Sequence, residues 1–384
     1  MNAGLAALTL AYVLSQFFRA FLAVLAPDLS ADLGVAPADL SRASGIWFLV
    51  FAAMQVPVGW ALDRIGPRRT SAVLLGLGGA GGAALLGTAT ALWQVEAAMA
   101  LIGIGCSPVL MAAYYIFARE FRPAVFGTLA GVLIAVGSLG NLGASVPLDW
   151  AADAVGWRAT MGGLALATLA VAAACLLVRD PAPVEAGADG SLLDLLRIPA
   201  MWAILPMMLV NYAPAAGLRG LWAGPYAEEV LRLSAGTVTL LMAVAMIAGN
   251  LGYGPLDRVL GTRKWIVWGG NALGAAACAA LWALPVGHPW VAVALLCAVG
   301  ALGSSFPLMV AHGRAFFPPA LVGRGVTLMN LFGIGGVGLM QFATGPLFAG
   351  AGGGVDGYRA LFAAFAVALA AGVAVYSFAP DRTD

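Results

Sequence analysis

The chain has 384 residues, 62% of them hydrophobic and only 10% charged, with a net charge of +1 and a mean hydropathy of +0.94. A soluble domain carries about 25% charged residues, so this composition excludes water as the solvent for most of the surface, and the near-neutral balance gives no reason to expect nucleic acid as a partner. The four cysteines, Cys106, Cys175, Cys278 and Cys297, all fall inside apolar runs, too scattered for a disulfide framework or a zinc site.

A bilayer crossing takes about 20 apolar residues. On that measure the chain reads as twelve helices: 5–26, 43–62, 70–90, 94–117, 125–148, 159–178, 200–222, 234–255, 264–284, 289–312, 323–348 and 358–379. The runs are too long for strands and do not alternate. The first run begins at once and shows no small-residue cleavage site, so no removable signal peptide is expected. Glycine, at 51 residues, and alanine crowd the runs; small residues let helix backbones approach closely in lipid.

A short, strongly charged break is Gly59–Arg69, GWALDRIGPRR. It holds Asp63, Arg64, Arg68 and Arg69 in a turn forced by Gly66 and Pro67. A turn this charged cannot lie in hydrocarbon, so it marks a membrane face. A related stretch returns as GPLDRVLGTRK, Gly254–Lys264, with Asp257 lying 194 residues after Asp63. Ser107–Ala124 is echoed by Ser305–Ala320, and Gly156–Met161 by Gly357–Phe362. The longest polar break, Arg179–Pro199, is rich in Pro, Gly and acidic residues. It divides the chain into an N-terminal bundle over 1–178, a linker over 179–199 and a C-terminal bundle over 200–384.

The glycine, Asp-Arg, glycine and basic spacing of Gly59, Asp63, Arg64, Gly66, Arg68 and Arg69 resembles the loop between helices 2 and 3 of the major facilitator superfamily; Pro67 stands where the family usually has a basic or polar residue. The resemblance implies an all-α membrane protein with twelve transmembrane helices in two pseudosymmetric six-helix bundles. It implies a secondary transporter, not an enzyme, that works by alternating access with its solute near the midplane between the halves. It gives Asp63, Arg64, Arg68, Asp257 and Arg258 a gating role, with Asp63 meeting a helix N-terminus or a loop arginine such as Arg122; the alternative is that these charges only set topology. The expected partners are a small solute and the lipid bilayer, with no cofactor, and a functional monomer.

Thirteen cations, from Arg64 to Arg382, fall on one side of these spans, and four, Arg42, Arg158, Arg232 and Arg359, on the other. The positive-inside rule then places both termini in the cytoplasm of a bacterial inner membrane.

Arg19 and Arg219 are the two cations left inside spans; they lie 200 residues apart, and Tyr12 and Tyr212 precede them by seven residues each. An arginine within a span is disfavoured by roughly 2.5–3.5 kcal/mol on insertion scales, so it should face a wet cavity. A guanidinium fork suits a carboxylate or phosphate, which points to an organic anion. The other reading is that each arginine pairs with a helix end or snorkels outward. Gln16, Tyr114, Tyr115, Asn141 and Asn330 are expected to line the same cavity, as are Asn211, Asn250, Asn271 and Gln341; each serves equally well as a helix–helix hydrogen bond. The run over 200–222 reads as broken by Pro206, Pro214, Gly217 and Gly220. For coupling, only Glu96, Asp149 and His312 offer protons, all near span ends, which disfavours a proton-driven drug exporter.

Met242 and Met246 share one helix face and carry thioethers suited to Cu(I). The proteobacterial branch of copper importers and riboflavin transporters is similar in general pattern, but its His-x-x-x-Met is missing here. Packing is the other reading for the two methionines. A copper or riboflavin-like transporter is therefore the alternative, and a non-transporting membrane receptor a more distant one.

Overall fold

The structure is a computed structural model that describes residues 3–121, 123–181, 192–284, 286–318 and 321–383. Arg122 and most of the expected linker lie outside the described residues, as does the side chain of Arg258. Among the described residues every regular element is helical.

The predicted first span is two helices, α1 (Ala3–Phe17) and α2 (Leu22–Leu33), bent by 51°. Among the described residues eleven further helices are long and apolar enough to cross a membrane, and with the bent pair counted as one they make twelve crossings. In the first half they are α3 (Pro37–Arg64), α4 (Pro67–Gly87), α5 (Leu92–Glu120), α6 (Leu129–Val155) and α7 (Trp157–Leu177). In the second they are α8 (Met201–Leu231), α9 (Ala235–Asp257), α10 (Lys264–Ala283), α11 (Pro289–Arg314), α12 (Arg324–Gly350) and α13 (Gly354–Tyr376). A single turn, Leu192–Leu195, precedes α8.

Two boundaries differ from the sequence reading for physical reasons. α3 begins at Pro37, six residues before the apolar run, because proline suits the first helical position and the Asp39 carboxylate accepts the Ala36 N–H at 3.1 Å. α8 runs nine residues past 222. Pro225, Glu228 and Glu229 look like a loop in sequence, but the Glu229 carboxylate accepts a hydrogen bond from the Tyr358 hydroxyl at 3.0 Å.

The chain forms two compact units, Met1–Glu185 and Ala186–Asp384. Each has the same pattern of neighbours. In the first, α1 packs on α6 and α7, α3 on α5, and α4 on α5 and α7. In the second, α8 packs on α12 and α13, α9 on α11, and α10 on α11 and α13. The closest approaches repeat too. A Cβ added at Gly140 of α6 would run into the backbone of Val13, and one at Gly336 of α12 into the backbone of Leu209. Both pairs are separated by 196 residues, so the same glycine-mediated contact is built twice.

Each unit has its own core, around Tyr12, Val109 and Phe117 in one and Met208, Met309 and Tyr376 in the other. Leu77, Leu166 and Val367, all within spans, are 69–74% exposed. Such outward leucines and valines suit a surface wetted by acyl chains.

Candidate functional site

In the first half the break between α1 and α2 centres on Arg19. The bulky rings on either side lock the turn: Phe17 and Phe21 stack at 6.3 Å, and Phe18 meets both edge-on. The turn directs the Arg19 guanidinium toward α3, where its carbon lies 5.6 Å from the Trp47 ring and 5.4 Å from the Phe51 ring. Those two rings stack on each other at 5.1 Å. The negative faces of the rings favour the cation without neutralising it. Arg19 Nε is buried with no hydrogen-bond partner, as are Gln16 Oε1 and Trp47 Nε1. Cys106 of α5 completes the surroundings beside Ser15 and Arg19.

Tyr12 is buried one turn and more before this point, its ring packed where Gly137 of α6 leaves room. Tyr114 lies near Tyr12, so these two tyrosines gather as expected. Asn141 is half-buried on α6, one turn after Gly137. Tyr115 sits apart from them. Its ring underlies the Arg119 guanidinium at 3.9 Å, at the end of the half that carries Asp63.

In the second half Arg219 is 4% exposed. It lies in a wide, π-type turn of α8, Leu218–Trp222. A second wide turn spans Ala227–Leu231. Gly220 lies in the first of these turns and Pro225 in the α-helical turn between them, and the predicted broken helix persists as one span; wide turns of this kind occur often at functional sites. Around Arg219 the polar groups form a chain: Gln341 Nε2 donates to the Gly217 carbonyl at 3.1 Å, and Trp222 Nε1 donates to the Thr344 hydroxyl at 3.1 Å. Tyr212 packs against Phe306 at 5.4 Å. Asn211 donates to Asn271 at 3.1 Å and to Ser305 at 2.7 Å, a helix–helix cluster that leaves Asn211 Oδ1 without a partner. Asn330 is half-buried on α12. Met242 and Met246 pack α9 against Gly300 of α11.

The charged loops form two related networks. Asp63 faces Arg119 at 3.5 Å. Gly66, at φ +93°, leaves room for the Asp180 carboxylate. That carboxylate accepts the Arg68 N–H at 2.8 Å. The acid at the α4 N-terminus is therefore Asp180, while Arg64 and Arg68 hold their side chains in solvent. In the second half Asp257 pairs with Arg263 at 3.3 Å, Gly261 has φ +64°, and Asp381 accepts the Arg263 and Lys264 N–H groups at 3.2 and 3.0 Å. Asp180 and Asp381 each follow the last span of their half, 201 residues apart. Sequence reading passed over both, although RDP and PDR after an apolar run carried the signal.

Burial pushes the Asp381 carboxyl up, but hydrogen bonds from the Thr262 hydroxyl and the two amides outweigh it and hold the pKa below the ordinary value. The contribution of Asp381 to stability is thus present above the ordinary carboxylate range and is lost as pH falls through the lowered value. Asp381→Asn should flatten the acid limb of a melting-temperature profile taken between about pH 5 and 3, as the carboxylate share of acid destabilisation is removed. An acid limb as steep as that of the parent would refute this. Asp381 is exposed, so the change is small.

His312, read from the sequence as a proton group near a span end or equally as a solvated end residue, is fully buried. Its Nε2–H donates to the Pro380 carbonyl at 3.0 Å, since a carbonyl can only accept, and its Nδ1 lies 2.5 Å from the Tyr376 hydroxyl. The other two candidate proton groups lie toward span ends; Glu96 is paired with Arg42.

Among the described residues, twelve apolar crossings, arranged as two units of six with one repeated pattern of neighbours and a cation within a span of each, define a polytopic secondary transporter. The chain belongs to the Major Facilitator Superfamily, whose family model matches residues 8–340. Among solved structures it is similar to a bacterial homolog of the human lysosomal transporter Spinster. In the inward-facing, unoccupied state the TM-score is 0.77 at 17% identity, covering 98% of this chain and 96% of the other. In the inward-facing, occupied state the TM-score is 0.73 at 19% identity, with the same coverage. At these identities the likeness shows the fold. No curated protein matches the sequence.

Proposed function

We propose that the protein moves a small organic anion by alternating access, with Arg19 and Arg219 as the groups that meet its negative charge. The observation that carries this reading is the placement of both arginines within spans. Arg219 is 4% exposed, and Arg19 is held on two aromatic faces with its Nε unsatisfied. A guanidinium within a span is disfavoured against acyl chains and faces the bundle interior or a wet cavity, where such groups mark substrate pathways. A planar fork favours carboxylate or phosphate over halide. Tyr12, Tyr114, Gln16 and Asn141 in one half, and Tyr212 and Asn330 in the other, are the neutral groups proposed to orient the solute; Tyr115 is retained at the Asp63 end. The charge asymmetry supports a bacterial inner membrane with cytoplasmic termini, and the proposed working unit is a monomer.

The test is counterflow in proteoliposomes with radiolabelled carboxylates, each set against its uncharged amide. Carboxylates alone should exchange. A ligand present at 100 times its Kd should also stabilise the folded protein by about 2.7 kcal/mol. Exchange of amides as fast as acids would overturn the anion assignment.

A further inference from the structure

Three buried polar atoms around the α1–α2 break have no partner: Arg19 Nε, Gln16 Oε1 and Trp47 Nε1. Gln16 is 8% exposed and Trp47 0%, so bulk water does not satisfy them. Buried polar groups in a folded protein are almost always bonded, and an orphan calls for a ligand or an ordered water. Here the orphans have a definite composition: two are donors, on a guanidinium and an indole, and one is an acceptor, a side-chain amide oxygen. The two donors belong to neighbouring side chains, since the guanidinium carbon lies 5.6 Å from the centre of the Trp47 ring. The acceptor is three residues before Arg19 in the chain, on the last turn of α1 next to the break that holds Arg19. The stacked Trp47 and Phe51 rings wall the place on one side.

We infer that the first half holds a self-contained subsite, built from Arg19, Trp47 and Gln16, for the head group of a 2-hydroxycarboxylate. The inference rests on the organic-anion reading and names the class of solute. The carboxylate accepts from Arg19 Nε–H and Trp47 Nε1–H. The hydroxyl on the adjacent carbon donates to Gln16 Oε1. A 2-amino acid offers a donor at the same place, but as an ammonium it sets a second cation beside Arg19 and is repelled. A plain carboxylate leaves the Gln16 oxygen buried and unbonded, the costly member of the donor–acceptor asymmetry.

The experiment measures binding to the full-length protein in detergent, by calorimetry and thermal shift, for 2-hydroxycarboxylates of three to six carbons, for the same acids without the hydroxyl, and for the matching 2-amino acids. The parent protein should bind each hydroxy acid about tenfold or more tightly than its deoxy partner, the ratio expected when one buried acceptor is left unbonded. Gln16→Met keeps the length and removes the acceptor. It should bring that ratio to about one. Trp47→Phe should weaken both acids together.

Equal affinity for a pair in the parent protein overturns the inference, and means that the three orphan atoms hold buried water only. A ratio unchanged by Gln16→Met also overturns it. Either result leaves the anion reading standing, provided carboxylates bind. If no carboxylate binds at all, both fall. The parent comparison needs no variant to fold, so it decides the matter even if Trp47→Phe is unstable.

Discussion

Arg19→Gln and Arg219→Gln should each lower kcat/KM for the anionic solute by about 10- to 150-fold. The figure follows from the net worth of a charged hydrogen bond, about 1.5–3 kcal/mol, at 1.4 kcal/mol per tenfold. Arg219 sets the stronger case because it is 4% exposed, where screening by water is weakest. Lysine should not rescue either position. It restores the charge as a strongly hydrated point but not the planar fork, and at Arg19 it also loses the fit over the Trp47 and Phe51 rings. Folding provides the control. The melting temperature of each variant, read beside its uptake, separates loss of the solute's partner from loss of packing. Uptake within twofold of the parent in either variant would mean that its arginine never meets the solute.

The two arginines show where sequence alone informs and where it does not. Two cations inside apolar runs are visible in a string, because charge in hydrocarbon is rare whatever the fold. The duplicated Asp-Arg-Gly loops were legible for a similar reason: a charged turn forces a membrane face, and Gly66 and Gly261 both take the positive φ that the turn requires. The partners of these groups were not legible. Trp47 and Phe51 lie in an unremarkable apolar run, and nothing in their spacing tells that a guanidinium lies against them. That contact is created by the 51° break after Phe17, which no proline or glycine announces. The network of Gln341, Thr344 and Trp222 spans 122 residues, and only packing brings it together. His312 stayed ambiguous in sequence because a histidine near a span end can be wet, whereas Tyr376 and the Pro380 carbonyl close over it.

Gly140→Ala and Gly336→Ala should each destabilise their half by about 1–3 kcal/mol, the usual effect of forcing atoms into a packed contact. In an isolated helix the same change is favourable by about 0.8–1 kcal/mol, so the predicted sign opposes intrinsic propensity. The reason is local. A methyl at Gly140 would enter the Val13 backbone, and one at Gly336 the Leu209 backbone. Neither obstacle is the end of a flexible side chain, so whole helices must move apart: α6 from α1, and α12 from α8. Glycine therefore stands at these two places for closeness of approach, as small residues do in lipid-embedded bundles. Gly131 lies on the same helix as Gly140 but faces open space, as does Gly252 on α9. Gly131→Ala and Gly252→Ala should hold or raise the melting temperature. Because the two tight contacts are separated by the same 196 residues, the paired losses should match in size if both halves use one packing scheme. Equal melting temperatures for the tight and open substitutions would show that the helices are not as close as the backbone contacts at Val13 and Leu209 require.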